Sequence, residues 1–327
     1  MARVLERVTA TVRDHAMVDP GDTVLVACSG GPDSVCLLDA LHRLRSLLAI
    51  RLEVFHFDHR LRPHSAADGR YVRRVAARLE VAVHMREARD TPEPGDSVER
   101  WAREARRAAA TEVADAVGAR RIALGHTRDD QAETVLMALV LGWGPEGVSG
   151  MRPAGDVMVR PLLEISRAET HAYCRSLGLR PRVDPTNADP RFLRNALRLE
   201  ALPALERATG REVAATIART ADLLRVDQEM LWDEAVRVAD RIVEPTDDGC
   251  RLVAEALSAL PPAIAGRVAR RAFQSVGVSW TRADIETVLD LAAGRPGRRA
   301  DLSGGLLAQR DRVYLSLSSR PSPESRD

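Results

Sequence analysis

The chain reads DTVLVACSGGPDS over residues 22–34, and this stretch decides the fold. Residues 22–28 form a short apolar run, which is typical of a parallel strand buried on both faces. A helical pattern begins at Asp33, directly after two glycines. A turn between such a strand and a helix presents backbone N–H groups and the positive end of the helix dipole to an anion. The sequence therefore predicts a phosphate-binding loop.

The residue types in the loop suit that role. Adjacent glycines allow the backbone to approach a ligand closely, and the serine hydroxyls can donate hydrogen bonds. A proline is tolerated in the first helical turn, where its missing N–H costs nothing. A tight turn with an ordinary helix cap at Ser29 or Asp33 is the alternative, but the complete string behind a buried strand favours phosphate. The predicted site comprises Ser29, Gly30, Gly31, Pro32, Asp33 and Ser34.

The rest of the first 140 residues alternates apolar strand patterns with amphipathic helix patterns. Further strands are predicted near 52–58, 81–85 and 121–125, with helices at about 1–18, 33–48, 66–80, 97–117 and 129–141. Such alternation predicts an α/β fold with a doubly wound parallel sheet and right-handed crossovers. Ligands bind beyond the carboxyl ends of the strands in such sheets, where the glycine loop lies.

Composition excludes several classes of function. All 48 basic residues are arginine, which rules out a Walker-type loop and lysine Schiff-base chemistry. Aromatic residues make up only 3%, too few for an RNA-binding sheet that stacks bases. The four scattered cysteines fit neither a disulfide framework nor a zinc site, so we expect packing roles and a reduced cytoplasm. The sequence shows neither a signal peptide nor a membrane-spanning run.

The string SGGPDS resembles the SGGxDS signature of the PP-loop, or N-type, ATP pyrophosphatases. The resemblance implies that ATP is cleaved between its α and β phosphates, so that a substrate oxygen becomes adenylated. It also implies that Ser29, Gly30, Gly31 and Ser34 hold pyrophosphate, with Asp33 near Mg²⁺. One carboxylate is sufficient, because Mg²⁺ takes its other ligands from phosphate oxygens and water.

Later motifs resemble those of the tRNA(Ile)-lysidine synthase family, densely over residues 20–205. They follow the family's order as His56–Arg62, Ala102–Arg106, Gly125–Thr134, Gly150–Met151, Arg160–Leu163, Asp184–Asn187 and Arg194–Arg198. Three positions depart from the family pattern, which has histidine at Thr127, tyrosine at Arg107 and arginine at Leu141. The Asp184–Asn187 stretch also has the chemistry of an ordinary turn.

This second resemblance implies a C–N bond-forming ligase. The ligase would join free L-lysine to carbon 2 of the wobble cytidine of tRNA(Ile) with a CAU anticodon, through an adenylated cytidine and with release of AMP and pyrophosphate. The product would read AUA instead of AUG and be charged with Ile instead of Met. Implied partners are ATP, Mg²⁺, lysine and the tRNA, with no membrane. The oligomeric state stays open, with a homodimer as one alternative.

His126, Asp130 and Glu133 are spaced i, i+4 and i+7, so they would share one face of a helix that starts at the sheet edge. We predict these three, with Asp33 and Ser34, as catalytic. Two carboxylates could receive the lysine ammonium or a metal ion and relay a proton. Acids in a first turn also stabilise the helix dipole without any catalytic role. That plain interpretation is preferred for Asp129, the expected helix cap.

Single residues complete the prediction. His59 is assigned to the ATP site, although a hydrogen-bonded core histidine is an alternative for both His59 and His126. Seven arginines are expected to contact tRNA or phosphate. For Arg103 and Arg106, a surface ion-pair ladder with Glu99 and Glu104 is the alternative. The arginines are Arg62, Arg103, Arg106, Arg194, Arg198, Arg298 and Arg299.

The domain prediction follows the motifs and the charge distribution. Residues 1–210 would be the catalytic domain, 211–245 a helical connector, 246–317 a small tRNA-binding domain and 318–327 a disordered tail. Six arginines face eleven acids over 211–255, whereas nine arginines face five acids over 262–312. An acidic connector before a basic module is one interpretation, and two solvated surfaces are the other.

Rival functions share parts of this pattern. Another PP-loop tRNA-modifying enzyme, such as a cytidine thiolase, would keep the loop, but thiolases typically carry paired cysteines. Amidotransferase-type chemistry would need a glutaminase domain or an N-terminal cysteine, and neither is present in the sequence. A non-catalytic tRNA-binding protein with a vestigial nucleotide fold is disfavoured by the intact loop and acid pair.

Overall fold

The computed structural model describes residues 1–61, 65–92, 97–182 and 191–319. Within it the chain divides into two compact units, Met1–Arg225 and Val226–Asp327. The motif at Asp184–Asn187, the candidate Arg62 and residues 320–327 of the expected tail lie outside the described residues. The predicted domain boundaries stay a prediction.

The first unit alternates strands and helices up to its fifth strand. Its strands are β1 Thr23–Ala27, β2 Arg51–Asp58, β3 Val83–Glu87, β4 Arg121–Ala123 and β5 Met158–Val159. Its helices are α1 Ala2–Asp14, α2 Pro32–Leu44, α3 Ala66–Arg78, α4 Val98–Val117, α5 Arg128–Val140, α6 Gly144–Val148, α7 Arg167–Ser176, α8 Leu193–Ala196 and α9 Leu202–Thr209. A π-helical turn, Leu197–Ala201, joins α8 to α9, and α10 (Val213–Ile242) continues into the second unit.

The strands of the first unit pair in the order β3-β2-β1-β4-β5 across the described residues. All four pairings are parallel, with Val24 opposite Leu52 in one neighbour and Leu25 opposite Ile122 in the other. Parallel pairing requires a crossover between strands, and the intervening helices supply it. The predicted α/β fold with a parallel sheet is confirmed.

The sheet lies in the core of the first unit, because the apolar residues of its middle strand are buried. Val24, Leu25 and Val26 of β1 are each at most 1% exposed. Helix α2 packs above the sheet with Leu37 and Leu38 fully buried. Burying apolar surface stabilises the fold by about 25 cal/mol per Å². The chain between the strand and the helix is therefore held between two buried elements.

Two details of the strand prediction were incomplete. The predicted third strand spans 81–85 but β3 covers Val83–Glu87, and β5 was not predicted at all. The second miss has a simple cause, since β5 pairs only Met158 and Val159 with β4. Two residues cannot show an alternating or continuous apolar pattern.

The second unit contains an antiparallel sheet with helices. Its strands are β6 Val243–Thr246, β7 Gly249–Val253, β8 Arg299–Asp301, β9 Leu306–Arg310 and β10 Tyr314–Ser319. Its helices are α11 Ala254–Ser258, α12 Pro262–Ser275 and α13 Arg282–Ala293, with a 3₁₀ turn at Ser303–Gly305. The described strands pair in the order β6-β7-β10-β9-β8. Leu315 and Leu317 alternate inward from β10, where they join Phe273 in the core.

Asp284 ties helix α13 to the 3₁₀ turn of the second unit. One carboxylate oxygen accepts from the backbone N–H and hydroxyl of Thr281, both at 2.7 Å, and the other accepts from the Ser303 N–H at 3.0 Å. Burial opposes the negative charge. These hydrogen bonds outweigh burial and lower the pKa of Asp284 to about 2.

We expect Asp284→Ala to lower the free energy of unfolding of the second unit by about 1–3 kcal/mol, through loss of a cap and of a buried link. The folded pKa lies below the unfolded value of 3.8, so this stabilisation is present above pH 4 and disappears as the pH falls toward 2. Urea unfolding at pH 7 and pH 2.5 measures both effects. Glu286→Ala, at an exposed acid of the same helix, should change stability by less than about 0.5 kcal/mol. Equal losses in the two variants would contradict the assignment.

Candidate active site

The phosphate loop is organised by one hydroxyl group. Ser34, in the first turn of α2, is 7% exposed. Its Oγ donates to the Gly31 carbonyl at 2.9 Å, accepts from the Gly30 N–H at 3.2 Å and lies 3.2 Å from the Ser29 Oγ. The Gly31 N–H in turn donates to the Ser29 hydroxyl at 3.3 Å. The Ser29 and Ser34 hydroxyls and the Gly30 and Gly31 N–H groups are thus joined by hydrogen bonds to one another. Each of them could instead donate to a phosphate oxygen.

Gly30 is required by its backbone conformation, and Gly125 by the space around it. Gly30 has a φ of +92°, a value that side chains rarely adopt. A Cβ there would make only an ordinary contact, at 3.4 Å, with the Tyr71 ring. Gly125, just after β4, is tighter, because a Cβ would lie 3.1 Å from the backbone nitrogen of Ser34. The end of β4 therefore contacts the phosphate loop directly.

Two residues outside the predicted string stabilise the loop by hydrogen bonds to its backbone carbonyls. The ring Nδ1–H of His56, on β2, can donate to the Cys28 carbonyl at 2.8 Å. The backbone N–H of Arg182 donates to the Gly30 carbonyl at 2.9 Å. Sequence reasoning chose His59 from this region. In the structure the His59 ring packs edge-on against Phe57, at 4.8 Å between ring centroids, and its place in the ATP site stays a prediction.

The acid pair lies on α5, but the helix begins differently from the prediction. Thr127 is the N-cap, and Asp130 accepts hydrogen bonds from both the backbone N–H and the hydroxyl of Thr127 at 2.8 Å. The expectation that Asp129 is the cap was wrong. His126 precedes the helix, so the shared helical face predicted for it was also wrong. Thr127, where the family has histidine, is fully buried and has this capping role.

Both acids are bound by arginines. Arg167, the first residue of α7, donates to Glu133 and to Asp130, each at 3.0 Å. Arg194, on α8, donates to Glu133 at 2.8 Å and to Asp130 at 3.2 Å. The Glu133 side chain is fully buried. A buried charge requires such pairing, because its desolvation is otherwise too costly.

The loop and the acid pair are physically connected. The Thr170 hydroxyl donates to one oxygen of Asp33, and the Arg167 Nε lies 3.9 Å from the other. Burial raises the pKa of Asp33 to about 6, and the charges of Asp130 and Asp129 add to the increase. The negative charges of Asp33, Asp130 and Asp129 therefore repel one another beside the phosphate loop. A cation would relieve that repulsion.

His126 is a neutral acceptor in this site. Burial lowers its pKa to about 3, although Asp130 opposes the shift. Its Nδ1 accepts a hydrogen bond from the Arg160 Nε at 3.2 Å. An imidazole with so low a pKa cannot serve as an acid near neutral pH. His126 instead positions Arg160, which belongs to one of the later motifs.

The predicted arginines fall into different environments. Arg103 pairs with Glu99 at 3.5 Å, which is the ion pair considered as the alternative. Enclosure and the neighbouring charges of Arg103 and Arg194 lower the pKa of Arg106, so positive charges gather near the acid pair. Arg198, in the π-helical turn, donates to the Asn195 side chain at 3.0 Å. Contact of these residues with tRNA stays a prediction.

The remaining two candidates belong to the second unit. Arg298 lies just before β8 and pairs with Asp290 of α13 at 2.7 Å. Arg299 is the first residue of β8 and is exposed.

Sequence reasoning missed Arg167, which contacts Asp33, Asp130 and Glu133. A signal was present, since Ser166 and Glu169 form a capping box that marks the start of a helix at Arg167. It also missed the role of Gln131, whose side-chain amide donates to the Met151 carbonyl at 3.0 Å and accepts from its N–H at 2.7 Å. Gln131 thus joins two of the sequence motifs structurally.

Two known protein domain families match this chain. Residues 2–205 match the PP-loop domain family, and residues 252–314 match the TilS substrate binding domain. A tRNA(Ile)-lysidine synthase of Symbiobacterium thermophilum is 41% identical over 84% of this chain, and one of Salinispora tropica is 41% identical over 89% of it. The chain belongs to the tRNA(Ile)-lysidine synthase family. This family member spans 60% of the length of the Symbiobacterium protein and 90% of the Salinispora protein.

A solved structure shares the fold of this lysidine synthase family member. It is a U34-tRNA thiolase from Methanococcus maripaludis with its [4Fe-4S] cluster, and it matches with a TM-score of 0.57 at 16% identity. The match covers 68% of this chain and 79% of the thiolase. Such a likeness is evidence for the fold alone. In the described part of this family member, no helix is long and apolar enough to cross a membrane.

Proposed function

We propose that this protein ligates free L-lysine to carbon 2 of the wobble cytidine of tRNA(Ile) with a CAU anticodon. The cytosine O2 attacks the α-phosphate of ATP, and the bond to the β-phosphate breaks to release pyrophosphate. The lysine ε-amine then attacks carbon 2, and AMP leaves. The observation that carries the proposal is the link between loop and acid pair, in which Arg167 contacts Asp33, Asp130 and Glu133.

The loop residues have a clear task in the first step. The hydroxyls of Ser29 and Ser34 and the N–H groups of Gly30 and Gly31 can exchange their mutual hydrogen bonds for bonds to pyrophosphate. Donors fixed in advance stabilise developing charge without reorganising solvent. The N-terminus of α2 adds its dipole in the same place.

Asp33 is a suitable residue to hold Mg²⁺. Its carboxylate lies within the loop, and the charges of Asp130 and Asp129 add to the rise in its pKa that burial causes. Among the described residues, no group of three or more His, Cys, Asp or Glu side chains is arranged to hold a metal ion. Phosphate oxygens and water would complete the ligand set, as is usual for Mg²⁺. The ion would neutralise charge on the phosphates.

Asp130 and Glu133 are proposed to receive the lysine ammonium. Burial tends to raise the pKa of Asp130, but Arg167 and Arg194 overcome it and hold the pKa below its usual range. A lowered pKa makes this carboxylate a weaker base. We therefore assign Asp130 the orientation of the amine, and the proton relay by Asp130 or Glu133 stays a prediction.

The thiolase alternative has no support from the cysteines. All four are free and buried. Burial raises the pKa of Cys28, Cys36, Cys174 and Cys250, which disfavours the reactive thiolate. We propose a cytoplasmic location, in keeping with these reduced thiols. The homodimer remains one alternative for the oligomeric state.

One assay tests the proposed reaction. The protein is mixed with ATP, Mg²⁺, radiolabelled lysine and a transcript of tRNA(Ile) with the CAU anticodon, and label in the RNA is counted. A transcript with the wobble cytidine changed to uridine is the matched control. We expect label in the first RNA alone. Pyrophosphate release without any RNA-linked lysine would refute the ligase.

The basic segment of the second unit is proposed as a tRNA anchor. We expect Arg298→Glu with Arg299→Glu to weaken tRNA binding about 10–100-fold and to flatten its dependence on salt, because fewer counterions are released. Filter binding at several salt concentrations measures both. Arg237→Glu with Arg241→Glu, in the acidic α10 segment, is the control with the same charge change. Equal affinities in both double variants would contradict a special role for 298 and 299.

A further inference from the structure

The proposed lysine subsite is already filled by protein. One Glu133 oxygen accepts from Arg167 and the other from Arg194. One Asp130 oxygen accepts from the same two arginines, and the other accepts from Thr127. All four carboxylate oxygens are therefore engaged. Because the Glu133 side chain is also fully buried, a lysine ammonium needs one of the two guanidinium groups to move away.

The two arginines are not equivalent. Arg167 also faces Asp33, at 3.9 Å from its Nε, so its guanidinium lies between the phosphate loop and the acid pair. Arg194 pairs with Asp130 and Glu133. When phosphate enters the loop, the Arg167 guanidinium can thus move from the acid pair toward a second anionic partner.

Movement of Arg167 needs no movement of its helix. Its backbone N–H donates to Asp129 at 2.8 Å, and the capping box of Ser166 and Glu169 holds the start of α7. The long side chain extends from this anchored position. A guanidinium binds phosphate oxygens bidentately and strongly. Nucleotide phosphates in the loop would compete with Glu133 and Asp130 for the same group.

We propose that Arg167 is a positioning residue that occupies the lysine subsite until bound ATP draws its guanidinium toward the phosphates. The acid pair is then open to the smaller ammonium group, while Arg194 remains in place. Lysine binding thereby becomes dependent on nucleotide binding. This inference rests on the proposed function, because it takes lysine as the second substrate.

The inference has a thermodynamic consequence that can be measured without turnover. If nucleotide removes a competitor from the lysine subsite, nucleotide must tighten lysine binding, and lysine must tighten nucleotide binding by the same factor. Couplings of this kind are typically about 5–150-fold. We expect a factor of at least about 10 for the wild-type chain.

Isothermal titration of the full chain with L-lysine tests this. It is done with and without Mg²⁺ and the ATP analogue that has a methylene group between the α and β phosphates. The wild type should bind lysine about tenfold or more tightly with the analogue. In Arg167→Gln the ratio of the two affinities should fall to about 1. In the matched control Arg194→Gln, Arg167 is still present to respond to phosphate, so the ratio of the two affinities should be kept.

Two results would overturn the inference: a wild-type ratio near 1, or an unchanged ratio in Arg167→Gln. Should Arg167→Gln fail to fold, as seen in its thermal unfolding, Arg167→Lys replaces it. A single ammonium cannot bridge two acids bidentately. The ratio of the two lysine affinities in Arg167→Lys should therefore be clearly lower than in the wild type. The lysidine assay on the same preparations separates the two proposals. Ligation with a coupling ratio of 1 refutes only the role of Arg167, whereas absence of ligation refutes the function.

Discussion

Pyrophosphate release should fall about 10²–10³-fold when Ser34 is replaced by alanine, the loss typical for removing one donor from a site of developing charge. The Ser34 hydroxyl contacts the Gly30 N–H, the Gly31 carbonyl and the Ser29 hydroxyl, so its removal also leaves the loop without its central link. The substitution should lower the rate of pyrophosphate release more than the affinity for ATP, because the α2 dipole and the remaining N–H groups still attract the phosphates. Release from ATP in the presence of tRNA measures the loss.

Ser46→Ala is the matched control for this substitution. Ser46 follows the same helix and is exposed, so we expect it to leave both rate and stability unchanged. Thermal unfolding of the two variants separates a loss of chemistry from a loss of fold. A Ser34→Ala protein that is folded and releases pyrophosphate at the wild-type rate would show that the loop does not hold the leaving group.

The largest effect on stability is expected for Glu133→Gln. This change keeps the volume but removes the only fully buried charge among the described ion pairs. Arg167 and Arg194 would then share Asp130 alone, in a site where unpaired charge is poorly solvated. Breaking a buried pair in this way costs about 3–5 kcal/mol. We therefore expect a fall of that size in the free energy of unfolding of the first unit, measured by urea denaturation.

Glu212→Gln is the corresponding change at the surface. Glu212 pairs with Arg128, but its side chain is 61% exposed. Exposed pairs contribute at most about 1 kcal/mol, since water solvates both charges when they separate. Similar losses for Glu133→Gln and Glu212→Gln would mean that the acid–arginine cluster is not the buried network described above.

Local patterns were reliable where a single segment carried the information. The apolar run before Ser29, the glycines and the helical period after Asp33 correspond to β1, the loop and α2. The alternation of strands and helices predicted the parallel sheet. Two parallel strands must be joined by a crossover connection, and a helix between them supplies it. The placement of Asp130 and Glu133 at the same sheet edge as the loop followed from the same rule.

Predictions failed where an outcome depended on competition between neighbours. Thr127 and Asp129 can both cap a helix, and Thr127 is the cap because Asp130 can return the hydrogen bond. His126 was assigned to the helix by spacing alone, yet the cap at Thr127 excludes it. The strand β5 was too short to leave any periodic signal.

The sequence by itself determined the fold class, the phosphate loop and the presence of an acid pair, because each depends on residues close together in the chain. Only the tertiary structure decided what the acid pair contacts. Arg167 and Arg194 lie 34 and 61 residues from Glu133, and no local pattern specifies that they meet it. Desolvation is the physical reason for this contact. A carboxylate buried at the sheet edge is stable only when it is paired with cations, and residues distant in the sequence supply them here. The loop that first indicated phosphate is thereby joined, through Arg167, to Asp130 and Glu133, the acids proposed to receive lysine.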